Sequence, residues 1–378
     1  MSTTMRAIAV LRGARELRLV SQDVPEARRP TEVKLRMLEV GVCGTDREIS
    51  AFDYGTPPDG SDRLVIGHES LGQVVEVGSA VTRVRPGDLV VPTVRRPCPH
   101  AHCLPCRAGR QDYCTTGDFR ERGIKQAHGF MTEFVVDDEE FMNPVPRGLR
   151  DVAVLVEPLT IAEKALLQIE AIQQRLPWGC GHAADEGFGH CHKALILGAG
   201  PVGLLGALAL ASRGFETWVF SREAPSHWKA KLVEKFGGRF ASAQEGTLQA
   251  WSERVGRFDL VYEAAGVSRL AFEAAHVLAA NGVYIFTGVP ALKGPSEVDT
   301  DRLMRSIVLQ NQALIGSVNA GRDAFERAVA DLGVFLARWP EAVRSLISGR
   351  FPVDAYRDLL LGEATGIKNV ISFDGTAA

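Results

Sequence analysis

The chain has 378 residues, long for a single hydrophobic core, and this length points to two domains. Hydrophobic residues make up 46% and charged residues 24%, an ordinary globular balance that excludes a disordered chain. The net charge of −3 is spread without a basic block or an acidic tail, which gives no reason to expect nucleic acid as a partner.

The first residues, MSTTMRAIAVLRG, lack the apolar core of a signal peptide, and no membrane span is expected. The longest candidate, residues 194–211, is glycine-rich and carries a nucleotide-type turn instead. A cytoplasmic location is therefore expected, where seven cysteines serve as metal ligands or free thiols rather than disulfides.

Residues 1–150 read as strands and loops. The runs VKLRMLEVGVCG and HESLGQVVEVG are β-rich, and RPGD at Arg85–Asp88 is a turn signal. A long loop from Val94 to Lys125 follows. Within it Cys98, Cys103, Cys106 and Cys114 bring four thiols into 17 residues, the donor set of a tetrahedral structural zinc site that would anchor the loop. His100 stands where Cys-x2-Cys spacing counted back from Cys103 would put a first ligand, so Cys98 and His100 are alternatives, with His102 a spare. Pro158 to Ile172 reads as a helix, with Leu159, Ala162, Leu166 and Ile169 near one face. The segment WGCGHAADEGFGHCH reads as an exposed linker. Its Cys180, Cys191, His182, His190 and His192 form a looser cluster of irregular spacing, for which surface linker chemistry is the default.

From Lys193 strands and helices alternate: KALILG, the helix VGLLGALALASRG, then ETWVFS, FDLVYEAAG, GVYIFTGVP and QALIGSVN as further strands. This is the pattern of a doubly wound parallel sheet, a Rossmann α/β fold. Two helical stretches and an end strand, IKNVISF, close the chain. Gly198-Ala199-Gly200-Pro201-Val202-Gly203 joins the first strand to its helix. There the first glycine allows the turn, the second admits a pyrophosphate and the third lets helix pack on strand, while the helix N-terminus faces the phosphates. The second strand ends Ser221-Arg222-Glu223. No acid occupies its tip to take the ribose of NAD, and Arg222 suits a 2′-phosphate, although Glu223 would oppose one if it pointed inward; NADP, or use of both cofactors, is expected.

Gly41-Val-Cys43-Gly-Thr45-Asp46 and Gly67-His68-Glu69 are weak signals alone. In order with the four-cysteine loop and the nucleotide turn, they resemble the zinc-containing medium-chain alcohol dehydrogenases over essentially the whole chain. The stretches Arg110-Gln-Asp-Tyr-Cys114, Glu121-Arg-Gly-Ile124, His128-Gly-Phe-Met131, Glu157-Pro-Leu159 and Glu163-Lys164 look like the glucose dehydrogenase branch.

The resemblance implies a β-rich GroES-like catalytic domain (1–192 and 320–378) around a dinucleotide-binding domain (193–319). It implies two zinc ions per chain. Cys43 and His68 would bind the catalytic one, with Glu69 and Glu157 in or beside its first shell. The C1 hydroxyl of an aldose would be oxidised to a lactone, with Thr45 accepting or relaying the proton. Glu121 and Asn319 match positions that contact sugar or cofactor, and Thr287-Gly288-Val289 and Ser317-Val318-Asn319 match strand tips near the nicotinamide. A homodimer or homotetramer is implied.

Four residues or spacings depart from that family: the x4 spacing of Cys98 and Cys103, Glu223 in place of a second arginine, Ile161 in place of an aspartate near the sugar, and Val94 in place of a polar residue. A polyol or L-threonine dehydrogenase on the same scaffold is the alternative enzyme. A non-catalytic NADPH-binding scaffold is the alternative from another class, and it would be signalled by loss of Cys43 or His68, both of which are present.

Overall fold

The computed structural model describes residues 3–179, 188–291 and 294–374, which divide into two compact units. The first comprises 1–160, 319–332 and 346–378, and the second 161–318 and 333–345.

In the first unit the β-rich runs pair as antiparallel strands. Glu32–Gly41 lies against Glu69–Val77, with Gly41 opposite Glu69. These two belong to a seven-stranded sheet that also takes in Leu89–Pro92, Phe134–Asp138, Met142–Val145 and the late strands Lys368–Ser372 and Ile347–Pro352. Alternation along the strands buries Leu35, Met37, Val40, Val90 and Ile371 in one core with Ile66, Phe130 and Met131. Each such side chain contributes about 1.5–3 kcal/mol through its burial. Arg85–Asp88 is a turn, closed by the Asp88 N–H on the Arg85 carbonyl. Residues 94–125 are more ordered than a loop reading implies. They hold short strands at Arg95–Arg96 and Arg120–Arg122, paired with each other, and helical turns at Leu104–Arg107 and Gln111–Tyr113.

The second unit is built on six parallel strands in the order Arg239–Ser242, Glu216–Ser221, Lys193–Leu197, Phe258–Glu263, Leu278–Phe286, Ala313–Gly316. The chain starts mid-sheet and reverses direction between Lys193–Leu197 and Phe258–Glu263, which creates the crevice where dinucleotides bind in such sheets. Its core holds Leu195, Leu197, Phe220, Val261 and Tyr284, whose hydroxyl donates to the Ala271 carbonyl at 2.7 Å.

The helix read from Pro158 to Ile172 runs from Val156 to Gln173. The sequence assigns all of this helix and residues 320–378 to the first domain and begins the second at Lys193; in the structure the second unit begins at residue 161, within this helix, and also takes in 333–345. Polar bonds supply the reason: Lys164 Nζ donates to the Val318 carbonyl, Gln168 to Ser317 Oγ, and Arg213 to Glu163. The described ends of the expected linker are exposed at Gly179 and Cys191, as expected, but packed at their aromatic residues. Trp178 stacks on His192 with centroids 4.0 Å apart, and Phe188 meets Phe215 edge-on. Cys180 and His182 lie outside the described residues. Among the described residues no helix is long and apolar enough to cross a membrane.

Candidate active site

Cys43 precedes the short helix Gly44–Ser50, and His68 and Glu69 open the strand run beside it. Potential ligand atoms of Cys43, His68 and Glu69 all lie within 4.8 Å of one another. Gly67 makes the approach possible: its φ of +90° is a left-handed conformation, and a Cβ there would meet Met131 Cγ at 2.5 Å.

Asp46, fully buried, holds the two arms together. One of its carboxylate oxygens accepts from the Cys43 N–H and the other from the Gly67 N–H; the latter lies 3.4 Å from His68 Nδ1. Among the described residues Nδ1 itself has no hydrogen-bond partner, the 3.4 Å contact with Asp46 being Coulombic. Burial disfavours the His68 imidazolium, but Asp46 and Cys43 raise its pKa well above the ordinary histidine value. Thiolate, imidazole and carboxylate are donors that suit zinc.

Glu69 forms a buried ion pair with Lys368 Nζ, which also donates to the Val42 carbonyl. Glu157 begins the long helix beside this cluster but is not among the converging ligand atoms. Burial pushes its carboxyl up to about 7, the neighbouring Glu69 and Asp46 reinforce the rise, and His68 and Lys368 oppose it. Thr45, half-buried, follows Cys43 by two residues.

The sulfurs of Cys98, Cys103, Cys106 and Cys114 also lie within 4.8 Å of one another. His100 turns away, to Asp118, so Cys98 rather than His100 completes the set. No disulfide joins the described cysteines. Without a cation the four sulfurs do not share one state. The Thr115 hydroxyl and N–H bring Cys103 down to about 5, while burial pushes Cys106 up to about 12. A bound divalent cation is what stabilises four thiolates at this spacing.

Glu121 is buried on the strand Arg120–Arg122, where Arg95 pairs with it in register and as an ion pair at 2.9 Å. Asn319 donates to the same carboxylate at 2.8 Å and has a φ of +58°. Val94 is buried and apolar.

In the second unit Gly198 has a φ of +100° and lies in the turn before the helix Pro201–Ser212. A Cβ at Gly203 would meet the Gly198 carbonyl at 2.1 Å, whereas at Gly200 it would meet nothing, leaving room for a ligand beside Ala199 and Val202. Glu223 is turned toward its own chain. Ser221 Oγ and Lys229 Nζ donate to it, and although burial raises its pKa, Lys229 and Ser221 bring it down to about 2. Arg222 is exposed, with no side-chain partner among the described residues. Thr287 and Gly288 are fixed by Glu263, a buried acid whose carboxylate also accepts from the Ala265 and Gly266 N–H groups. Val289 and Val318 are 80% and 54% exposed at strand ends, an exposure of apolar side chains that suits a ligand-covering surface.

Sequence reasoning missed Asp46, Lys368, Arg95 and Glu263 as positioning groups. For Lys368 the signal was a lysine in the otherwise apolar strand IKNVISF, and for Glu263 an acid ending the run FDLVYE, since a charge in a buried strand needs a partner.

Two family profiles cover most of the chain: "Alcohol dehydrogenase GroES-like domain" matches residues 29–147 and "Glucose dehydrogenase C-terminus" residues 150–373. The glucose 1-dehydrogenase of Methanocella arvoryzae is 39% identical over 370 residues, covering 97% of this chain and 99% of its own. That of Thermoproteus tenax is 40% identical over 374 residues, again 97% and 99%. The Haloferax mediterranei glucose dehydrogenase, solved in complex with NADP, Zn and gluconolactone, superposes with a TM-score of 0.87 at 32% identity, covering 98% of this chain and 100% of that one. The chain belongs to the glucose dehydrogenase branch of the zinc-containing medium-chain alcohol dehydrogenases.

Proposed function

We propose that this chain is a zinc-dependent glucose 1-dehydrogenase that oxidises the C1 hydroxyl of D-glucose to the lactone, with hydride transfer to NADP or NAD. The observation that carries this reading is the cluster of half-buried Cys43 with buried His68 and Glu69, in a chain that shares its fold with an enzyme solved with NADP, zinc and gluconolactone. When bound, zinc supplies the Lewis acid that lowers the pKa of the C1 hydroxyl, and the nicotinamide supplies the hydride acceptor.

The chain's own residues do the rest. Asp46 fixes Cys43 and the turn before His68, and Lys368 holds Glu69. The Thr45 hydroxyl takes or relays the C1 proton, and the buried Glu157 carboxyl beside the cluster is a second group able to accept it. Glu121 and Asn319 contact sugar hydroxyls. Cys98, Cys103, Cys106 and Cys114 hold the structural zinc. Residues 198–203, Ser221, Arg222, Glu223, Thr287, Gly288, Val289, Ser317 and Val318 line the dinucleotide site, which makes the parallel-sheet unit the cofactor domain and the β-rich unit the catalytic one.

The test is a substrate panel with either cofactor. Glucose, galactose or xylose should be oxidised far faster than sorbitol or threonine. If a polyol or threonine wins with zinc fully bound, the dehydrogenase class stands and the sugar assignment falls.

For cofactor choice, the unpaired Arg222 guanidinium and the Lys229-neutralised Glu223 support NADP. Arg222→Ala should raise KM for NADP about tenfold or more while leaving NAD nearly unchanged, as expected for loss of one charge-assisted bond. Equal effects on both cofactors would count against this assignment.

A homo-oligomer belongs to the same reading. The helix Thr300–Leu309 supports it, because it buries none of its residues and exposes Met304, Val308 and Leu309. Sedimentation should give two or four chains per particle; a 41.0 kDa monomer would remove this part.

A further inference from the structure

We infer that Arg95 is a specificity-determining positioning residue, which occupies one oxygen of the Glu121 carboxylate so that the other alone reads a sugar hydroxyl. The inference rests on the assignment of Glu121 to the sugar site. Glu121 Oε1 takes the Arg95 Nε–H at 3.0 Å and the Asn319 Nδ2–H at 2.8 Å, with the Arg95 terminal nitrogen at 2.9 Å. Oε2 has no partner among the described residues, yet it is not one of the sealed, unsatisfied buried atoms, so it faces accessible space. A free carboxylate can take two neighbouring hydroxyls, one on each oxygen. With Oε1 already taking two hydrogen bonds and a close guanidinium charge, Glu121 is left with one acceptor and one direction.

Arg95 is itself fixed on every side. Its guanidinium lies over the Phe119 ring at 3.7 Å, its remaining terminal nitrogen donates to the Asp112 carbonyl, and its backbone is paired in register with Glu121. A lysine could keep the charge but not the fork or the ring contact. Asn319 supplies the second donor from a left-handed backbone, its own Oδ1 accepting from the Ala320 N–H.

The experiment is a double-mutant cycle of Arg95→Lys and Glu121→Gln, with kcat and KM measured for glucose, its epimers and the monodeoxyglucoses, alongside zinc content, melting temperature and KM for NADP. Glu121→Gln presents an amide donor where Oε2 accepted, because the amide oxygen must face Arg95. Arg95→Lys is expected to raise KM for glucose about tenfold and change kcat less, with zinc content and KM for NADP unchanged. The loss should vanish for the one deoxy sugar that lacks the hydroxyl read by Oε2, and the double variant should lose little more than Glu121→Gln alone.

Phe119→Leu, which removes the ring beneath the Arg95 guanidinium, should produce a smaller loss on the same hydroxyl, and it serves if Arg95→Lys does not fold. Equal losses on every sugar, or additive losses in the cycle, overturn the inference while leaving the glucose dehydrogenase reading intact. A wild-type protein that oxidises no sugar overturns both.

Discussion

His68→Ala is expected to abolish dehydrogenase activity and to lower the zinc content from about two ions per chain to about one. Few groups would hold that ion. Cys43, His68 and Glu69 are the converging candidate ligands, and Glu69 is already shared with Lys368. With the imidazole gone, one thiolate and one paired carboxylate remain, too few to keep zinc against water. A Lewis acid of this kind lowers the barrier by several kcal/mol, and about 4 kcal/mol is already roughly a thousandfold in rate.

The fold should survive, because Asp46 keeps its bonds to the Cys43 and Gly67 N–H groups when the ring is removed. Metal analysis together with circular dichroism therefore separates loss of the ion from loss of the structure. A folded His68→Ala protein with two zinc ions and wild-type turnover would sink the assignment.

The parts of the molecule that could be read from sequence are those whose physics is local. The strands Lys193–Leu197 and Glu216–Ser221 are short apolar runs bounded by turn residues, and Gly198 and Gly203 occupy positions that backbone geometry reserves for glycine. The four cysteines were legible because thiol spacing alone suggests tetrahedral binding, and the structure gathers the set that begins at Cys98 despite its x4 spacing.

What escaped depends on partners far apart in sequence. Lys368 meets Glu69 across 299 positions, and Arg95 meets Glu121 across a strand pair too short to carry a periodic signal. The strand Arg239–Ser242 was missed because only its last two residues are buried, and Ile347–Pro352 because none of its residues is fully buried. The unit boundary inside the helix Val156–Gln173 was invisible because Lys164, Gln168 and Glu163 draw that helix to the second unit through polar bonds that an apolar stripe does not reveal.

Cys106→Ser is the second variant with a large expected effect, and here the effect is on stability before catalysis. Residues 94–125 hold only short elements, the longest helical turn being Leu104–Arg107, and the local cluster of buried side chains there consists of the cysteines themselves. Between Cys98 and Cys114 the segment therefore depends on the ion for cohesion, while Val94 and Ile124 tie its ends to the main core. Burial pushes the Cys106 thiol up to about 12, so the thiolate forms there only with a cation to stabilise it, and a serine hydroxyl ionises far less readily still. Replacing it should release the structural zinc and cost several kcal/mol, roughly 5–15 °C in melting temperature. The ion that remains should be the one at Cys43 and His68. The variant should keep measurable activity when cold, with a raised KM for sugar, because Arg95 and Glu121 are carried by the loosened segment. A Cys106→Ser protein with full zinc content and unchanged melting temperature would show that the four sulfurs hold no metal.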